Sequence, residues 1–131
     1  MKNRAVRLGL LVFVFGGLGV LAALACSLAG VCGDVNSSLS GTIVSEGITI
    51  AWGTNNENSQ LGHYKILRYN CGNPMNCSVE VATVTPVGSC GTWQNYSYTD
   101  TPPTPVSQWK YTVEVWRSDN TRACAADTIP E

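Results

Sequence analysis

From residue 40 onward, apolar positions recur at every second residue. Residues 47–52 (GITIAW) set Ile48, Ile50 and Trp52 on one face, and residues 63–69 (HYKILRY) set Tyr64, Ile66 and the stem of Arg68 on one face. Residues 79–85 (VEVATVT) alternate as Val79, Val81 and Thr83. Residues 110–116 (KYTVEVW) turn Tyr111, Val113 and Val115 inward and Lys110, Thr112 and Glu114 outward. Successive side chains of a strand point to opposite faces, so each run predicts a strand with one buried and one wet face. Branched and aromatic side chains, which suit a pleated surface, fill these runs. A first strand is placed at 40–45 (SGTIVS). Segments 53–60, 88–89 and 118–120 have turn chemistry, and Trp93-Gln94-Asn95-Tyr96 falls in an expected loop. Short strands with polar turns predict an all-β antiparallel β-sandwich over residues 40–131. No helix period with caps is expected after the N-terminal segment, and residues 26–39 read as a small, polar lead-in.

The first 25 residues differ in kind. Lys2, Arg4 and Arg7 precede eighteen uncharged residues, 8–25, which end in Ala23-Leu24-Ala25. A charged start, an apolar run and a small-x-small exit predict an export signal at residues 1–25. Cleavage before Cys26 would release a soluble domain. Two alternatives stand: acylation of Cys26, since Ala-Leu-Ala-Cys loosely resembles a lipobox, or retention of the apolar run as an anchor. A second cut, after Ala29, is also open.

Export changes the charge. Without Lys2, Arg4 and Arg7, five cations face nine carboxylates, a net charge near −4. No basic stripe is left to follow a phosphate backbone, which argues against nucleic acid as a partner.

The strands carry four landmarks in order: Trp52 in ITIAW, Tyr64 in GHYKILR, Tyr98 and Asp100 in YSYTDT, and Tyr111 in KYTVEVW. With these, residues 40–128 resemble a fibronectin type III domain, an immunoglobulin-like sandwich. The resemblance implies a binding or spacer module without naming a ligand. It makes Trp52 central to the core and Tyr111 a corner tyrosine, its hydroxyl satisfied on nearby backbone. Ile50, Ile66, Val113 and Val115 complete the expected core with Tyr64.

Cysteines stand at 26, 32, 71, 77, 90 and 124, all after the apolar run. In an exported chain, six such residues read as a disulfide set with fifteen formal pairings. Cys71 and Cys77 flank a Gly-Asn-Pro turn between two strands, where opposed positions lie at disulfide distance. A staple is the first reading, with zinc and redox pairing as alternatives. In the sandwich that the resemblance implies, the chain ends lie close, so Cys32 is paired with Cys124. Cys90 is left for Cys26, or free; Cys77–Cys90 is the competing arrangement.

Catalytic chemistry finds little material. His63 is the one histidine, and the carboxylates are scattered. No phosphate loop or metal-loop motif occurs, so no cofactor and no enzymatic activity are expected. Trp93, Trp109 and Trp116 are not all needed in a core of this size, and Trp93, Tyr96 and Trp116 are the candidate binding surface. The expected function is a non-enzymatic binding, adhesion or spacer module. It would be secreted or held on the outer face of the cell envelope, with a protein or carbohydrate partner and membrane contact only through a retained N-terminal segment. An anchored structural envelope protein is one alternative. An enzyme inhibitor or hydrolase-associated carbohydrate-binding module is another.

Overall fold

The computed structural model describes residues 25–131. The expected leader, residues 1–25, lies outside the described residues except for Ala25. Seven strands follow a helix: α1 (Leu28–Ser38), β1 (Ser40–Val44), β2 (Gly47–Thr54), β3 (Leu61–Tyr69), α2 (Pro74–Cys77), β4 (Val79–Val84), β5 (Gln94–Asp100), β6 (Lys110–Arg117) and β7 (Arg122–Thr128). They form two antiparallel sheets, β1-β2-β5 and β4-β3-β6-β7, packed as an all-β sandwich.

The alternations of β2, β3 and β6 set the core between the sheets. Ile48, Ile50, Tyr64, Ile66, Tyr111, Val113 and Val115 are fully buried, and Trp52 nearly so. Trp52, Tyr64 and Tyr96 form an aromatic triangle with centroids 5.2–5.5 Å apart, an edge-and-stack arrangement that suits ring quadrupoles. Asp100 sits at the border of this core. It accepts hydrogen bonds from Arg68 at 2.9 Å and from Tyr111 at 2.6 Å. The Tyr111 hydroxyl thus goes to a carboxylate, not to the backbone group expected. Burial, then the bond to Asp100, pushes that hydroxyl's pKa above its usual value.

Four sequence expectations need correction. Residues 26–39 are not an irregular lead-in; they contain α1. Leu28, Val31 and Val35 share one buried stripe of that helix. Ser27 caps it by accepting from the Gly30 amide at 3.0 Å. Glycines at 30 and 33 lower its intrinsic propensity, and burial against β2 and β7 compensates. At Gly30 the close approach needs glycine: a Cβ there would fall 2.5–2.9 Å from the Asn56 side chain.

In β4 the expected phase holds at Val81, which packs against the core, and fails on either side of it. A register shift opposite Ile66/Leu67 brings Ala82 and Val84 against Ile66 and Tyr64, while Val79 is left exposed and Thr83 turns out. A bulge flips the side-chain parity of a strand.

Residues 94–96, expected in a loop, begin β5. Thr112 and Glu114 point outward but are not wet. They are 4% and 6% exposed, because neighbouring long side chains lie over them.

The free border of the first sheet is partly covered. Beside β1, Glu131 accepts from the Ile43 amide at 2.8 Å and donates to the Gly41 carbonyl at 3.2 Å, which occupies two of that edge's pairing groups.

Candidate binding surfaces

The cysteines are all paired: Cys26–Cys90, Cys32–Cys124 and Cys71–Cys77. Two bridges hold α1. One ties the residue before its cap to the 85–93 loop, and the other ties its second turn to β7. Cys71–Cys77 closes the β3–β4 connection around α2. The Cys26 sulfur is in its bond to Cys90, so the atom that a lipid thioether would use is taken. This corrects the lipidation reading for the bridged chain.

Two carboxylates, one buried and one partly exposed, hold the loops at one end of the sandwich. Glu57 is 3% exposed. It accepts from Tyr64 at 2.9 Å, from the Tyr96 hydroxyl, and from the Gly88 amide at 2.6 Å. Burial first, then the bond to Glu57, pushes the Tyr96 hydroxyl up to about 12. Asp34 of α1 accepts from Thr54, Asn55 and Asn56 at 2.7–3.3 Å. Burial works to raise its pKa, but these donors outweigh it and hold the carboxyl below its usual range. Sequence reading missed both residues, since an Asn-rich turn looks fully solvated.

The three candidate aromatics part company. Tyr96 is 8% exposed and stacks on Trp52, so it belongs to the core and not to a binding surface. Trp116 lies on the outer face of the four-stranded sheet, but that face is filled. His63 stacks on the ring at 5.7 Å, and the Lys65 ammonium sits 4.2 Å from its centroid. The Trp116 indole donates to Glu114, which also pairs with Arg122 at 2.8 Å, and Thr112 donates to Asp127. A groove of about 420 Å³ runs beside these groups, with Met75 of the stapled turn on its rim. Its polar atoms are largely engaged with one another.

Trp93 is different. It is 47% exposed on the outer face of the three-stranded sheet. Its ring packs closely against Gly53: a Cβ there would be 2.6–2.7 Å from ring atoms. Its indole N–H donates to Asn95 Oδ1 at 2.8 Å, which fixes both the ring and the amide orientation. Ser38 supports the spot, accepting from the Gly53 amide at 2.9 Å. Beside the ring opens a depression of about 300 Å³, lined by Ser38, Ala51, Gly53, Asn95 and Ser97, with the buried Trp52 and Tyr96. No charged residue lines it. Gly53 carried no sequence signal, because it read as a turn residue; Asn95 was legible only as a polar neighbour of Trp93 in the expected loop.

Among the described residues there is no cluster of His, Cys, Asp and Glu suited to a metal, and no helix long and apolar enough to cross a membrane. No protein-family model matches the chain, and no curated protein matches it. Among solved structures, the chain is similar to pectate lyase PelI from Erwinia chrysanthemi in complex with tetragalacturonic acid, at 16% identity and a TM-score of 0.47. The match covers 69% of this chain and 27% of that one, so the chain spans about a quarter of that protein's length.

Proposed function

We propose that this chain is an exported, non-enzymatic binding module on a fibronectin type III-like scaffold. Three bridges fit an oxidising compartment. The strand order supports the scaffold: strands one, two and five share a sheet, and three, six and seven share the other. That is the immunoglobulin-like partition, with strand four joined to the second sheet. Trp52, Tyr64, Tyr98, Asp100 and Tyr111, which carry the resemblance, all border the space between the sheets.

The single observation that carries the binding reading is Trp93. A half-exposed indole, clamped by Asn95 and seated on Gly53, offers a rigid contact surface at little entropic cost. Partners are sought among proteins and carbohydrates outside the cell.

Expression with the native leader tests the reading. The protein is recovered from its native location and weighed intact before and after reduction and alkylation. A mass that begins at Cys26 and takes up six alkyl groups only after reduction is the expected result. Free thiols in that material would sink the export reading. Turnover in a broad hydrolase screen, abolished by His63→Ala, would replace a binder with an enzyme.

A further inference from the structure

We propose that Trp93 and the depression beside it bind an uncharged sugar chain, one ring of which stacks on the exposed indole face. The proposal rests on the binding-module reading and names its ligand class.

Three observations select this chemistry. The first is rigidity. The Trp93 ring is held in place, because its N–H donates to Asn95 at 2.8 Å and ring atoms pack closely against Gly53. A flat apolar face fixed in place matches the C–H face of a pyranose, and the ordering cost is already met in the free protein. The second is the kind of polar group at hand. Asn95 uses Oδ1 for the indole, so its Nδ2 is the group left to donate to a ring or hydroxyl oxygen. Ser97 lies next along the same face of β5. Hydroxyls and amides are the partners a neutral sugar needs. The third is charge. The lining holds neither a cation nor a carboxylate, and the chain after residue 25 is near −4, which disfavours anionic polymers.

The surroundings also separate a sugar from a protein partner. A protein hot spot sits within a ring of contacts that exclude water. Here the indole touches Gly53 and Asn95, which also line the depression; the two large aromatics of that lining, Trp52 and Tyr96, are 2% and 8% exposed and belong to the core. A small, uncharged site with a few hydroxyl and amide groups, beside one exposed aromatic, fits a single sugar ring with its neighbours in the chain running past.

The test is calorimetric titration of the bridged chain with cellohexaose, xylohexaose, mannohexaose and chitohexaose, with hexagalacturonate as the charged arm. At least one neutral hexasaccharide is expected to bind. Trp93→Ala should weaken that binding by roughly tenfold or more, about the worth of one stacked ring. Gly53→Ala keeps the indole but pushes it off its seat, and should weaken binding too. Trp116→Ala should leave it unchanged. Unaltered far-ultraviolet dichroism and thermal melts of the free variants verify folding. The proposal is overturned if no neutral hexasaccharide binds, if both Trp93→Ala and Gly53→Ala bind as wild type does, or if hexagalacturonate binds more tightly than every neutral chain. A protein cross-linked at Trp93 in place of sugar binding overturns it as well. Any of these leaves the exported-module reading standing. Release of reducing ends during titration would instead end the non-enzymatic reading while keeping Trp93 as a sugar platform.

Discussion

Arg68 of β3 reaches across to Asp100 of β5, Nη1 to Oδ2, at 2.9 Å. The pair ties one sheet to the other, and Tyr111 joins it through the same carboxylate oxygen. Both side chains are largely withdrawn from water, at 18% and 8% exposure. Asp100→Asn leaves the guanidinium partly buried without its counter-charge. The expected loss is about 3 kcal/mol, at the lower end for a broken buried pair because Arg68 keeps some solvent. Urea unfolding of the two proteins measures it. A loss under about 1 kcal/mol would show that water replaces Asp100.

Trp52 is the centre of the aromatic triangle. Trp52→Ala removes the partner of both Tyr64 and Tyr96 and should cost about 3–5 kcal/mol. Its indole nitrogen is buried without a hydrogen-bond partner. Trp52→Phe removes that unpaired donor while keeping a ring, so it should cost clearly less than the alanine change. Thermal melts of both variants decide the order.

Tyr96 makes stability depend on alkaline pH. Its folded pKa is raised to about 12 from the ordinary tyrosine value of 10.0. The unfolded chain therefore loses this proton first. Its contribution is complete below pH 10 and is lost as pH rises toward 12. Melting temperature should fall over that window, and Tyr96→Phe should flatten the fall. Equal slopes in both proteins would assign it to other tyrosines.

The three bridges should not contribute equally. In the chain-entropy view, Cys32–Cys124, separated by 92 residues, constrains the unfolded chain by nearly 5 kcal/mol, and Cys71–Cys77, separated by 6, by about 2.4 kcal/mol. Paired alanine substitutions at 32 and 124 should therefore lower the urea midpoint further than those at 71 and 77. The reverse order would mean that α2 and the turn around it carry more of the fold than their exposure indicates.

What could be read from the chain follows from burial. In β2, β3 and β6 one face meets the core and the other does not, so a period of two is written into the residues. Helix α1 leaves a fainter mark. Its stripe is three residues wide, interrupted by Gly30, Gly33 and Asp34, and it holds by packing and by two bridges that a pattern of single positions does not encode. Bulges hide in the same way: the shift in β4 changes parity without changing composition. At the candidate surface, an exposed tryptophan near Asn and Gln was legible at Trp93. Tyr96 and Trp116 were not separable from it, because which ring is covered depends on strand pairing with Trp52 and His63. Gly53 acquires meaning only once the chain lays Trp93 upon it.

Cys26 and Cys32 are six positions apart, yet each joins a partner 64 or 92 residues further on. On the proposed export route, a chain threaded outward from its N-terminus delivers these two thiols together, long before either mate emerges. The first collision open to them is with each other. Correct oxidation of this protein is therefore a matter of delay, and its yield should follow the supply of a catalyst that undoes premature pairing.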